Sequence, residues 1–274
     1  MQLKYIFPAF ALAALLLEPV SVFSDPRQDT KEVYERPDLT ASFQISQVLA
    51  QQGNPDAQTR LARMYLRGEG TKKDYAKSLY WAEKAALRGN AEAQWIAGGI
   101  YELGFVGPRD FNKGIPLLQA SANQSYTPAI YEIGKLYLYG EGLPQDYKLA
   151  LDFLERASMK GSIPATYGLG TMYEQGLGVP VDYFRATKLY RDAAEQGDGP
   201  SQYRLGRCYG LGLGVKVDFE ESYFWMDVAS RDQVGSMRDV AIHDRDHGAA
   251  PHLTTEQIVE VRARSMKWTP RRPS

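Results

Sequence analysis

The sequence predicts an all-α protein, a solenoid of stacked helix pairs, and three observations predict it. Residue types recur every 36 positions: small residues at Ala57, Ala93, Ala129, Ala165 and Ser201, then tyrosine eight positions later at Tyr65, Tyr101, Tyr137, Tyr173 and Tyr209. Glycine follows eleven positions after each start (Gly68, Gly104, Gly140, Gly176, Gly212), and an aspartate–aromatic pair begins seventeen after (Asp74, Asp110, Asp146, Asp182, Asp218). Between these markers the apolar residues keep the i, i+4, i+7, i+8 spacing of an amphipathic helix. Such a period marks units that bury their apolar faces against their neighbours.

Composition narrows the rest. The 274 residues are 24% charged and 44% hydrophobic with a net charge of −1, which is ordinary for a globular protein and excludes a disordered chain. The balanced charge provides no general attraction to nucleic acid. One cysteine excludes an intrachain disulfide, and three histidines leave little material for metal or acid–base chemistry.

Residues 1–24 read as a secretory signal peptide: Lys4 is followed by an apolar run from Ile6 to Leu17, too short to span a bilayer, and Val22 and Ser24 precede a plausible cut before Asp25. An uncleaved anchor is the alternative. The expected location is a bacterial periplasm, with no stable membrane insertion after cleavage. Residues 25–37 are polar and read as a linker. Residues 38–53 carry the second-helix pattern alone (Asp38 and Leu39, then Leu49, Ala50 and Gly53) and are expected to cap the N-terminal end.

Residues 54–233 hold five units. Helix A of each is expected after a capping residue, Asn54, Asn90, Thr127, Ser162 or Asp198, with Pro55, Pro128, Pro164 and Pro200 in the first turn, where a missing N–H costs nothing. Counting from Ala57, the inward columns are 0, +4, +5, +7 and +8, so Tyr137 is expected in the core, and Tyr137→Ala to cost about 3–5 kcal/mol. Column +5 is Ala62, Gly98, Gly134, Gly170 and Gly206, small enough for two helices to approach closely. The glycine at +11 ends helix A and the aspartate at +17 caps helix B. Helix B carries small pairs such as Ala85-Ala86, Ala157-Ser158 and Ala193-Ala194, and Gly89, Gly161 and Gly197 close the units. Residues 234–268 are expected to cap the C-terminal end, with Thr254 to Gln257 as a capping box that opens a last helix. Residues 269–274 read as a flexible tail.

These residues resemble the Sel1-like repeat, a relative of the tetratricopeptide repeat, over about 180 residues; Ala129 to Gly161 follows its pattern closely. The second unit departs, with Ala97 in place of leucine and Val106 in place of the second loop glycine, which predicts a reshaped loop. The resemblance implies a right-handed α/α superhelix whose helix A lines the concave face through columns +2, +6, +9 and +10. The residues expected to form a protein-binding groove there are Arg63, Arg67, Trp95, Leu103, Tyr131, Lys135, Tyr139, Tyr167, Tyr203 and Arg207. Aromatic and arginine side chains are the usual anchors of protein interfaces.

Signals of catalysis are weak. Cys208 lies on an inward column and no histidine lies in the repeats to act as its base. His243 and His247 stand at i, i+4 with His252 near, a spacing that alone does not make a metal site. Gly68-Glu69-Gly70 and Gly212-Leu213-Gly214 lack the strand before and the lysine after that a phosphate loop needs. The expectation is therefore a periplasmic scaffold without catalytic residues, metal or cofactor, that binds another envelope or secreted protein. By resemblance it acts as a regulator, an assembly factor, or an immunity protein against a secreted effector such as a phospholipase. A peptidoglycan or glycan binder is the alternative, and a hydrolase a third reading.

Overall fold

How near two helices can lie depends on what stands between their backbones. In a computed structural model, which describes residues 39–232 and 236–271, column +5 sits where helix A crosses helix B. A Cβ added at Gly98 would lie 2.8 Å from Leu118 Cγ, one at Gly170 2.7 Å from Tyr190 Cε1, and one at Gly206 2.8 Å from Met226 Cγ. A glycine inside a helix costs about 1 kcal/mol against alanine, and here that cost is offset by close packing. The partners Leu118 and Tyr190 are fully buried.

All regular structure among the described residues is helical. The chain divides into two units, the first ending at Gln145 and the second beginning at Asp146. The first contains α1 (Leu39–Gln51), α2 (Pro55–Arg67), α3 (Tyr75–Ala86), α4 (Ala91–Leu103), α5 (Phe111–Asn123) and α6 (Thr127–Tyr139). The second contains α7 (Tyr147–Met159), α8 (Ile163–Gln175), α9 (Tyr183–Ala194), α10 (Gly199–Leu211), α11 (Phe219–Asp232), α12 (Ser236–Asp244) and α13 (Thr255–Met266). Helices α2, α4, α6, α8 and α10 are the A helices of the five repeats, and α1 is a B helix without an A helix before it. The signal peptide and linker expected at residues 1–37 lie outside the described residues.

The same local bonds recur along the repeats. The aspartate side chain accepts from the third amide of helix B, as in Asp74 with the Lys77 N–H and Asp182 with the Arg185 N–H. The amide of that aspartate donates to the carbonyl of the tyrosine at +8, as from Asp74 to Tyr65 at 2.9 Å and from Asp218 to Tyr209 at 3.0 Å, which closes the loop between the helices. The second glycine of that loop lies against the first residue of the preceding B helix: a side chain at Gly70, Gly142, Gly178 or Gly214 would collide with Leu39, Phe111, Tyr147 or Tyr183. Val106 occupies this place in the second repeat. There Val106 is 47% exposed, and Phe105 stacks on Tyr75 with ring centroids 4.4 Å apart. Buried glutamines tie three of the five repeats to the B helix before them: Gln58, Gln94 and Gln202 donate to the carbonyls of Ala50, Ala86 and Ala194 at the end of that helix.

Four of the expected helix-A caps are in place, with Asn54, Asn90, Ser162 and Asp198 each accepting from the amide three residues on. Thr127 is not the fifth. It opens α6, and Tyr126 stands at the cap without a side-chain bond. The helix register is set by the buried columns and by Pro128, which match the other repeats, so a polar residue one place late cannot serve. Tyr126 packs its ring on Trp95 instead. The residue before it, Ser125, adopts φ 64°, where the other repeats place Gly53, Gly89, Gly161 and Gly197.

The tyrosine column is less buried than expected. Only Tyr65 is in the core, at 6% exposure. Tyr101, Tyr137, Tyr173 and Tyr209 are half-buried, and three of them have polar partners at the hydroxyl: Tyr101 donates to Glu83 at 2.5 Å, Arg185 donates to Tyr173 at 3.2 Å and Arg191 to Tyr209 at 2.8 Å. At the C-terminal end, the last described B helix α11 packs on α12 and α13, and Thr254 and Gln257 form the capping box of α13. Of the expected flexible tail, residues 272–274 lie outside the described residues, whereas the Arg271 amide donates to the Glu195 carbonyl and its guanidinium pairs with the Glu195 carboxylate, both at 2.7 Å.

Ser125→Gly relieves a left-handed backbone that costs an L-residue about 1–2 kcal/mol. Urea unfolding of that variant should show a higher midpoint with an unchanged slope.

Candidate protein-binding face

The outward columns of the A helices carry residues of graded exposure, some of them packed and some open. In the first unit, column +2 runs Thr59, Trp95, Tyr131. Thr59 is buried and donates to the Pro55 carbonyl at 3.0 Å, and Trp95 is only 9% exposed. Tyr131 is half-buried. Column +10 is the most open: Arg67 is exposed, Leu103 half-buried and Tyr139 50% exposed. Arg63 donates to Glu92 at 2.9 Å and Arg67 to Glu69 at 3.4 Å, both partly exposed pairs of low energetic weight. Tyr126 lies beside them. Burial pushes its hydroxyl up to about 12, with Glu92 adding to the shift and Arg63 and Arg67 opposing it. Arg63, Arg67, Glu92 and Tyr126, with the edge of Trp95, thus form one aromatic and charged patch.

Lys135 departs from the expected ladder of surface cations. Its side chain is 5% exposed and its ammonium reaches inward to Glu102 Oε1 at 3.3 Å and to Glu132. The reason is charge: both glutamates are fully buried, and a buried carboxylate draws in the nearest cation. The second unit contains a related cluster, in which Glu174 accepts from the Tyr190 hydroxyl at 2.6 Å and from Arg204 at 3.4 Å. Glu102 and Glu174 share column +9, which elsewhere holds Leu66, Leu138 and Gly210; Glu132 and Arg204 share column +3. Glutamate at column +9, where the other repeats have leucine or glycine, was the legible signal for both clusters.

In the second unit the face carries Tyr167, Tyr203 and Arg207, all half-buried, and the exposed Leu211. The Tyr167 ring leans on Tyr190 at 5.9 Å. The Tyr203 hydroxyl donates to Asp244 Oδ2 at 2.8 Å, so the end of α12 is fastened onto α10. Burial first, and Asp244 next, push Tyr203 up to about 12. No ion pair of Arg207 occurs among the described residues.

The other chemically suggestive residues do not assemble. Cys208 is buried, and burial raises its thiol above the usual range. His243 and His247 stack face to face at 4.5 Å with His247 Nδ1 on the His243 carbonyl, because the helix passes into a π turn at Arg245–Ala249. His252 stacks on Phe219. Among the described residues no group of three or more histidine, cysteine, aspartate or glutamate side chains can hold a metal ion, and no helix is long and apolar enough to cross a membrane.

The burial difference separates packing residues from free ones. Trp95→Ala should lower the unfolding free energy by about 3–5 kcal/mol, and Arg207→Ala should change it by no more than about 0.5 kcal/mol; chemical denaturation of the two variants checks both.

Comparison with known proteins agrees with the geometry. The chain is similar to a Sel1 repeat protein from Oxalobacter formigenes, with 29% identity and a TM-score of 0.65 over 78% of this chain and 88% of that one. It is also similar to c5321, a protective antigen of uropathogenic Escherichia coli with an SLR fold, at 28% identity and a TM-score of 0.57; 84% of this chain is covered, but it spans only 56% of the length of that protein. A putative Sel1 repeat protein from Klebsiella pneumoniae shares the fold at 20% identity and a TM-score of 0.51, over 74% of this chain and 97% of that one. A search of curated proteins finds no match. The Sel1 repeat model matches five consecutive segments, residues 55–90, 91–126, 127–162, 163–198 and 199–232, and the chain belongs to the Sel1 repeat family.

Proposed function

We propose that this protein is a non-enzymatic scaffold that binds another protein through the outward columns of its A helices. Sel1 repeats generally mediate protein–protein interaction. The observation that carries the reading here is the exposure of aromatic, cationic and aliphatic side chains on those columns. Tyr139 in the first unit is half exposed, and Arg207 in the second has no ion pair among the described residues, beside Leu211 at 59% exposure. An aromatic ring, a guanidinium and an aliphatic side chain on rigid helices are good anchors, since little rotamer freedom is lost when they are covered. Arg63, Arg67, Tyr131 and Leu103 extend the face in the first unit, and Tyr167 in the second. Lys135 and the bulk of Trp95 act beneath it as packing.

The signal-like residues 1–24 support a periplasmic site of action. Within that compartment the scaffold acts as a regulator, an assembly factor or an immunity protein against a secreted effector, roles that differ in the partner rather than in the fold.

The test is affinity for a partner recovered from envelope extract by the mature chain and then purified. Tyr139→Ala and Arg207→Ala should each weaken binding by about 2 kcal/mol, roughly thirtyfold, with unchanged thermal unfolding. Intact affinity in both variants overturns the proposed face. Binding to isolated cell wall that is lost in Tyr131→Ala and Tyr167→Ala would move the assignment to a glycan binder.

A further inference from the structure

The cluster Glu102, Glu132 and Lys135 in the first unit holds more negative than positive groups in a place water does not reach. Both carboxyls are fully buried and Lys135 is 4% exposed. The ammonium contacts Oε1 of each carboxyl, and Oε2 of each has no hydrogen-bond partner. The two carboxyls converge on the same ammonium, which brings their charges close together. With both ionised, the cluster would carry a net negative charge in the interior, an arrangement in which one carboxyl keeps its proton.

We propose that the Glu132 carboxyl keeps its proton at neutral pH beside the Glu102–Lys135 pair, and that its release in mild alkali loosens the seam between α4 and α6, a pH-sensitive joint in the first unit. The inference does not depend on the binding role proposed above.

The surrounding charges leave the joint to itself. On α4, Glu92 is engaged with Arg63 of α2, where Arg67 pairs with Glu69 and Arg60 is exposed. On α3, Glu83 accepts from Tyr101, Lys77 pairs with Asp74, and Lys84 lies over Tyr80. Lys113 of α5 pairs with Asp110. Arg109 reaches only the main-chain carbonyl of Glu102, and its guanidinium pairs with Glu141. The charged groups that act on Glu132 are Lys135 and Glu102. Burial raises Glu132 from the usual 4.5 to about 8, Lys135 opposes the shift and Glu102 adds to it. Burial also works against the charge of Lys135, but the two glutamates reverse this and hold it above the usual lysine value.

The sign follows from proton counting. Between the unfolded and folded values, the folded chain keeps a proton that the unfolded chain has released, so stability falls as pH rises through that window and levels off beyond it. Buried Asp198, raised by burial to about 6, contributes in the same direction but only in the lower part of the window. The interval from about pH 6.5 to about pH 8 therefore isolates the joint.

The experiment is urea unfolding of the full mature chain across that interval, for wild type and for Glu132→Gln, which mimics the protonated side chain and leaves Glu102 paired with Lys135. In wild type the unfolding constant should rise by up to about tenfold per pH unit, the slope for one proton. In Glu132→Gln that rise should vanish. Carboxyl-carbon NMR of wild type gives a second readout that needs no variant: one glutamate side chain should titrate far above the others. Equal slopes in the two proteins, or glutamates that all titrate in the ordinary range, would overturn the proposal.

Discussion

The approach of helix A to helix B at the glycines of column +5 is the contact on which these helix pairs depend. At Gly98, Gly170 and Gly206 the space for a Cβ is already filled by Leu118, Tyr190 and Met226. Dispersion falls away steeply with a gap of even half an ångström, so a hairpin opened here would lose contact along its length. The loop glycines repeat the device between neighbouring units of the stack, pressing the loop of one repeat onto the start of the preceding B helix. The aspartate cap and the bond from its amide to the tyrosine carbonyl then fix the turn between the helices.

With the backbone frame settled by small residues and caps, the remaining columns are free to differ. That freedom is used in two ways. On the outward columns it provides aromatic rings and guanidinium groups of graded exposure, from Trp95 at 9% to Tyr139 at 50%. Beneath them it admits buried charge: Glu102 and Glu174 take a column that holds leucine or glycine in the other repeats, and each anchors a cluster, Glu102 with Glu132 and Lys135 in one unit, Glu174 with Arg204 and Tyr190 in the other. The first cluster joins like charges through one cation, whereas the second pairs opposite charges, so neighbouring repeats of one design differ in their electrostatics.

The fold was legible because it is periodic. Caps, glycines and inward columns each occur five times, so a single slip is outvoted, and the one misplaced cap, Thr127, sits where the repeat lacks a polar residue. Side-chain burial was less legible, since it depends on neighbours that are far away in sequence. Tyr137 keeps its column but not its depth: it is half-buried where the pattern places it in the core. Lys135 keeps its column too, but two glutamates, one of them 33 residues away, pull it inside. The placement of Asp244 on Tyr203 has no counterpart in the repeat pattern, as it comes from the segment where the period has lapsed.

The reach of column +5 also bears on how such a chain can change its length. One residue added to or lost from an A helix would rotate everything beyond it by about 100° about the axis, swinging the glycine away from its facing side chain and a bulky one into the gap. Only a change by a complete period restores the match. Descendants of this gene are therefore expected to lengthen or shorten by duplication or deletion of complete hairpins, with stray single-codon insertions confined to segments outside the period, such as the stretch after α11.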